Sequence, residues 1–285
     1  MNGVTAVLLL SCPDQKGIVA AVSDFLYRHD GNIIHADQHT DAEEGVFLQR
    51  VEWELAGFGV AREGIAEAFR SIAERFGMRW TLHFSDERPR IAVVASKLPH
   101  CLYDILARWR MGEYHADVPL VISNHADLQP IAQQFDVPFL HAPITAGTKA
   151  EQESRILDEL TRADVNLVVL ARYMQVLGDE LVGQYPSRII NIHHSFLPAF
   201  AGARPYHQAH ERGVKIIGAT AHYVTPELDQ GPIIEQDVAQ VSHRDSVADL
   251  VRKGRDLEKT VLARAVDLHL RRRVLVYGNK TVVFD

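Results

Sequence analysis

The pattern of apolar and polar positions changes character near residue 85. Before that point the chain reads strand, helix, strand, strand, helix, strand. Val4 to Ser11 is a short apolar run. Gly17 to Arg28 carries Ile18, Val19, Val22, Phe25 and Leu26 at spacings that share one helical face. Asn32 to Gln38 and Val46 to Leu55 alternate as two half-buried strands, with the turn Asp41-Ala42-Glu43-Glu44-Gly45 between them. Ala61 to Phe76 is an amphipathic helix, and Met78 to Phe84 is a closing strand. This order predicts a ferredoxin-like βαββαβ domain over residues 1–84.

Ser85 to Arg90 is polar, contains Pro89 and has no period, so residues 85–90 are expected to form a linker. From residue 91 to 285 strands and helices alternate. Ile91–Ala95, Val118–Ser123, Pro138–His141, Val165–Leu170 and Arg188–Ile192 read as strands. Helices are predicted at His100–Arg110, Leu128–Phe135 and Lys149–Arg162, with a short one before Pro186. A long last helix should run from Ser246 to about Arg271, with Asp245 as its cap. Apolar strands that alternate with helices imply an α/β, doubly wound, mostly parallel sheet. Ligands of such sheets bind beyond the carboxyl ends of the strands.

Composition narrows the function classes. Of 285 residues, 47% are hydrophobic and 24% charged, and Asp plus Glu exceed Lys plus Arg by 37 − 30 = 7. A mildly acidic surface argues against a nucleic-acid partner. Arg271-Arg272-Arg273 reads as a solvated helix end. No apolar stretch approaches the ~20 residues that cross a bilayer. The polar opening Met1-Asn2-Gly3 predicts no signal peptide. Cys12 and Cys101 have no metal spacing and are expected to be reduced thiols of a cytoplasmic protein.

Candidate chemistry gathers at one predicted strand end. Asn191-Ile192-His193-His194-Ser195-Phe196-Leu197-Pro198 closes a strand, and Asp229-Gln230-Gly231-Pro232 follows the run Gly218 to His222. An amide N–H aimed at a carbonyl oxygen stabilises the anion that forms there. An imidazole moves a proton to a leaving nitrogen, and a carboxylate beside it holds its tautomer. Each residue alone is an ordinary turn or core residue, and it is their conjunction that points to chemistry. Ser195 has no G-x-S-x-G elbow and is not read as a nucleophile. His207-x-x-His210 has no partner set at metal spacing, so no metal is predicted, and His222 is read as structural.

From Ile91 onward the chain resembles the folate-dependent formyltransferase family. The run Asn191 to Pro198 is similar to its Asn-x-His-x-Ser-Leu-Leu-Pro signature, with Phe196 at a position that is commonly Leu. Gly202 stands where that family has a Gly, and Asp229 to Ile234 resembles its Asp-x-Gly-Pro-Ile segment. The resemblance implies Asn191, His193 and Asp229 as the catalytic trio. It implies Arg172, Tyr173, Met174, Gln175, Val176 and Leu177 as a wall of the folate pocket, against the alternative that Met174, Val176 and Leu177 are plain core. The first eighty residues resemble an ACT domain, whose strand-to-helix turn matches Cys12 to Gly17, with Asp14 as helix cap and Gly17 as close-approach residue. ACT resemblance implies pairing into a dimer or tetramer, and an amino-acid effector near Asp14 and Gly17.

The joint resemblance implies hydrolysis of 10-formyltetrahydrofolate to tetrahydrofolate and formate, in balance with purine synthesis. Folate is then a substrate and no cofactor is expected. Transfer of the formyl group to an amine such as glycinamide ribonucleotide, and a silent amino-acid and folate sensor, are the alternatives. Amine-acceptor relatives grip a phosphate with a glycine-rich turn after the first strand. Here that turn is Ser96-Lys97-Leu98-Pro99-His100-Cys101, without Gly, and Pro99 removes a donor. The chain also stops soon after Phe284, before any basic extension of the kind expected in a tRNA formyltransferase. Water is therefore the expected acceptor.

Overall fold

A computed structural model describes residues 3–145, 147–198 and 205–284. Gly202 lies outside the described residues. The chain forms two compact units: Met1–Glu87 together with Arg271–Asp285, and Arg88–Leu270.

The first unit has strands β1 (Thr5–Pro13), β2 (Ile33–Asp41), β3 (Val46–Glu54) and β4 (Arg79–Phe84), with helices α1 (Ile18–Arg28) and α2 (Ile65–Phe76). The sheet is antiparallel in the order β2-β3-β1-β4. Leu8 and Leu10 of β1 and Val51 and Trp53 of β3 face the helices, which return Ile18, Val22, Phe25, Ile65, Phe69 and Phe76. Two expectations change here. β2 is exposed along nearly its whole length rather than half-buried, because it is an edge strand paired only with β3. Asp14 does not cap α1: the N-cap is Gly17 at φ 95°, without a side-chain bond, and the Asp14 N–H donates to the Gly45 carbonyl.

The second unit adds β5 (Arg90–Ala95), α3 (His100–Arg110), β6 (Asp117–Ser123), α4 (Gln129–Gln134), β7 (Phe139–His141), α5 (Lys149–Arg162) and β8 (Leu167–Ala171). It continues through α6 (Asp179–Gln184), β9 (Ile189–His193), α7 (Pro205–Arg212), β10 (Ile216–Tyr223), β11 (Ile233–Gln240) and α8 (Val247–Leu270). Its sheet has the order β11-β10-β9-β8-β5-β6-β7. The five strands from β9 to β7 in that order are parallel, and β10 and β11 join antiparallel. β5 and β8 are buried strands with a continuous apolar sequence, as a sheet covered on both faces demands. The chain runs from β5 outward to β7 and then returns to β8, so the sheet's switch point lies between β5 and β8. The cap of α8 is Ser246, not Asp245. The Asp249 N–H donates to Ser246 Oγ at 3.2 Å and the Ser246 N–H to Asp249 Oδ2 at 3.0 Å, a reciprocal capping arrangement. Asp245 instead accepts from the Ser242 N–H and pairs with Lys253.

After α8 the chain ends in the hairpin β12 (Val274–Tyr277) and β13 (Lys280–Val283), which belongs to the first unit rather than to residues 91–285. The reason is in β1. Its helix-averted residues Val7 and Leu9 are apolar too, and with Leu48 they are covered by Tyr277, Phe284, Leu275 and Val282. Arg50 Nε donates to the Arg272 carbonyl at 3.0 Å, and Tyr277 OH and Lys280 Nζ reach Asp41. Phe284→Ala removes a ring that is 3% exposed. It should lower unfolding stability by about 3 kcal/mol, read as a drop in the urea midpoint at unchanged slope. An unchanged midpoint would show that the hairpin is not packed as described.

Candidate active site

β9 and β10 build the site through their register. Asn191 lies directly opposite His222, and His193 opposite Thr220. Alternation along β9 places Asn191 and His193 on one face. Asn191 Nδ2 and His222 Nε2 are 3.2 Å apart. His222 Nδ1 is 2.9 Å from the Tyr223 carbonyl, which only accepts, so Nδ1 carries the hydrogen and Nε2 accepts from the Asn191 amide. That bond fixes which end of the amide is nitrogen and leaves its second N–H for a ligand.

Asp229 comes from the β10–β11 connection in the left-handed conformation, φ 56°, which Asp tolerates better than most residues. The turn is tight. A Cβ on Gly231 would lie 1.7 Å from the Tyr223 carbonyl oxygen, so the Asp-Gln-Gly-Pro sequence admits only glycine at its third position. The Tyr223 N–H bonds the Pro232 carbonyl and draws the loop back over β10. Asp229 Oδ2 thereby reaches His193 Nδ1 at 3.3 Å, and Oδ1 lies 3.7 Å from His222 Nε2. The hydrogen bond from His193 holds the Asp229 carboxyl far below the usual carboxylate range. It is an anion throughout the neutral range.

His193 is 6% exposed, and its Nε2 is buried with no hydrogen-bond partner among the described residues. With Nδ1 on Asp229, Nε2 is the ring atom free for chemistry. Thr220 Oγ1 donates to the Ser195 carbonyl and receives the Leu197 N–H, while Gln236 Nε2 donates to both Thr220 Oγ1 and the Leu197 carbonyl. The turn after His193 is pinned on both sides.

The expected trio is brought together, and His222, read from sequence as structural, sits between two of its members. The wall segment splits in two. Arg172, at φ 64°, and Tyr173 are buried, and the Tyr173 hydroxyl is buried without a partner. Met174 and Val176 are 57% and 52% exposed at the end of β8, so they are not plain core, whereas Leu177 packs against the core. The Met174 N–H donates to Ser96 Oγ, which ties this segment to the turn after β5. The N-terminal Asp14 and Gly17 lie in the other unit.

Sequence reading passed over Glu258 and His100. Glu258 lies on the buried stripe of α8 with Leu250, Gly254 and Leu262, and a carboxylate on an apolar stripe was the available signal. His100, Cys101 and Glu258 have donor atoms within 4.8 Å of one another, a grouping that can hold a metal. Here the Arg172 guanidinium already lies 3.3 Å from Glu258, and burial pushes the Cys101 thiol well up, so the set is balanced by an internal cation. His207 and His210 on α7 are exposed and outside that grouping.

A doubly wound sheet that presents an amide, an imidazole and a carboxylate at one strand end, in a chain that also holds a βαββαβ unit, defines a formyltransferase-type enzyme with an ACT domain. The formyl transferase family model matches residues 89–266, and the ACT domain model residues 6–74. The chain is 60% identical over 284 residues to the formyltetrahydrofolate deformylase of Synechocystis sp., covering 100% of both chains. The crystal structure of a formyltetrahydrofolate deformylase from Pseudomonas syringae pv. tomato superposes with TM-score 0.98 at 49% identity, covering 100% of this chain and 96% of that one. A glycinamide ribonucleotide transformylase from Symbiobacterium toebii gives TM-score 0.66 at 33% identity, over 72% of this chain and 98% of that one. The chain belongs to the formyltetrahydrofolate deformylase family.

His194, beside this site, supplies a pH test. Burial, then Arg172 and His193, lowers its pKa from 6.5 to about 4. The folded state disfavours the charged ring, so stability is full above 6.5 and falls as pH drops towards 4, where the unfolded chain takes up the extra proton. His83 of the first unit, also lowered to about 4, titrates in the same window. His194→Gln should therefore lose less stability than the parent between pH 7 and 4 in urea titrations, with the His83 share remaining. Parallel pH profiles would contradict the assignment.

Proposed function

We propose that this protein hydrolyses 10-formyltetrahydrofolate to tetrahydrofolate and formate, supplying formate and adjusting the one-carbon folate pool for purine synthesis in the cytoplasm. The observation that carries the mechanism is the buried, unpartnered His193 Nε2, with Nδ1 held by Asp229. Asn191 donates its free N–H to the formyl oxygen. Water attacks the formyl carbon, and one water proton passes to His193 Nε2. The carbon–oxygen bond forms as the oxygen becomes an anion on the Asn191 amide. Collapse breaks the bond from carbon to N10, and the Nε2 proton moves to that nitrogen. Formic acid then loses its remaining proton to solvent. Asp229 stays ionised, its carboxyl being held low, and acts by orienting the imidazole and stabilising its cation. His222 keeps the Asn191 amide in its productive flip. The proton transfers at the reacting carbon and at N10 run through His193, and folate enters as substrate. The exposed Met174 and Val176 offer the pterin an apolar surface at the end of β8.

His193→Ala and Asn191→Ala should each lower formate release by roughly 10²–10⁴-fold while circular dichroism stays unchanged. Asp229→Ala should fall in the same range. Formate release within a few-fold of the parent enzyme by folded His193→Ala would remove the assignment.

The ACT unit is the seat of self-association, as a dimer or tetramer, and of an amino-acid effector at the Asp14–Gly17 turn. The support for association is β2, an edge strand that exposes Ile33 and Ile34 beside unpaired backbone groups. A charge at that edge opposes strand pairing, so Ile34→Asp should shift the protein to a smaller species in sedimentation velocity. An unchanged sedimentation coefficient would place the interface elsewhere.

A further inference from the structure

The fold that superposes on this catalytic unit also occurs in a protein named for glycinamide ribonucleotide, so the choice of acceptor has to come from side chains. One buried cluster adjoins the catalytic residues. Glu258 of α8 is 1% exposed. Its Oε2 accepts from His100 Nε2 at 2.7 Å and lies 3.3 Å from Arg172 Nε, an ion pair without hydrogen-bond alignment. Its Oε1 accepts from Tyr206 OH at 2.7 Å. Burial raises the Glu258 pKa, and His100, Arg172 and Tyr206 together outweigh burial, so the group is a carboxylate.

The cluster stands at the sheet's switch point. His100 opens α3 after β5, and Arg172 follows β8. It also adjoins the catalytic residues. The His194 ring lies 5.2 Å from that of His193 and 6.2 Å from that of Tyr206, centroid to centroid. The turn before α3 is committed as well. The Ser96 N–H donates to the Arg172 carbonyl, Ser96 Oγ donates to Asn124, and Pro99 has no N–H to give. Gly254 makes room for the wedge: a Cβ there would lie 2.1 Å from Tyr206 OH, so the phenol reaches Glu258 only across a glycine one turn earlier on the helix.

We propose that the Arg172–Glu258–His100–Tyr206 cluster, locked by Gly254, is the acceptor-side wall that makes water rather than a ribonucleotide amine the formyl acceptor. A ribonucleotide needs acceptors for its sugar hydroxyls and donors for its phosphate. The buried carboxylate here is spent on three internal partners, and the turn beside it offers neither a glycine cradle nor a free serine. A carboxylate already satisfied internally gives a sugar hydroxyl nothing to replace the water it sheds. Water needs only a small space and two or more polar partners. In an opened variant an amine nitrogen would bond to the formyl carbon, the carbon–N10 bond would break, and the amine's proton would pass through His193 to N10.

The proposal rests on the hydrolase reading, and the experiment separates the two. Parent enzyme with 10-formyltetrahydrofolate should release formate at the same rate with and without glycinamide ribonucleotide. Absence of formate without nucleotide would overturn the hydrolase reading itself. Inhibition or formylation of the nucleotide at concentrations near that of the folate would overturn the wall. Tyr206→Phe frees one carboxylate oxygen without opening a cavity and should tighten inhibition by the nucleotide about threefold or more, with formate release retained. His100→Gly combined with Tyr206→Phe should tighten it about tenfold or more and yield formylated nucleotide by mass spectrometry. Folded, hydrolytically active variants that remain as indifferent to the nucleotide as the parent would also overturn the proposal.

Discussion

Everything in the catalytic unit depends on the antiparallel pairing of β10 against β9. A parallel sheet delivers its loops to one end, but it does not by itself set two polar side chains of neighbouring strands opposite each other. The reversal of β10 does so, placing His222 against Asn191 and Thr220 against His193. A slip of β10 by one residue would turn His222 and Thr220 to the other face, away from Asn191 and His193. The same reversal sends the chain back through the tight turn at Gly231, which carries Asp229 to the imidazole. The trio is therefore one consequence of one register, fastened by the Thr220–Gln236 bonds.

The site is also a study in where charge is kept. Asp229 is held ionised by the imidazole of His193, while His194 next door is held neutral by burial and a nearby guanidinium. Among the described residues, His193 Nε2 is a buried imidazole nitrogen without a hydrogen-bond partner. Further in, Glu258 and Arg172 cancel each other in a region where an unpaired charge would cost several kcal/mol. A proton acceptor kept open in this way is what a reaction that moves one proton from water to nitrogen requires.

Much of this was legible before any coordinates. The apolar patterns placed β5, β6, β8 and β9 and the helices α3, α5 and α8 close to where they lie, and the conjunction of Asn191, His193 and Asp229 singled out the strand end at which the three meet. What was misread has physical causes. Asp14 had the chemistry of a cap, but a left-handed Gly17 took the position. Asp245 lost the α8 cap to Ser246, whose partner Asp249 completes a reciprocal pair. β2 alternates in sequence, yet a sheet edge outside the helices' cover stays exposed whatever its pattern. Glu258 and His100 are 158 residues apart, and no local spacing announces such a contact. The last hairpin was assigned to the wrong unit, although the unbroken apolar run in β1 already implied that both faces of that sheet needed cover.

That hairpin makes the chain topology nested: the catalytic unit is an insertion within the unit that begins the chain. The ribosome therefore delivers the opening strands long before the segment that seals their second face. Val7, Leu9 and Leu48 wait for Tyr277 and Phe284, which follow the whole catalytic sheet in the chain. The unit begun first is finished last, only after the whole catalytic sheet has been synthesised. The nesting also means that the units are joined by two strands of backbone, so after a single proteolytic cut near Arg88 the catalytic unit stays covalently joined to the hairpin, which holds residues 3–87 by packing alone.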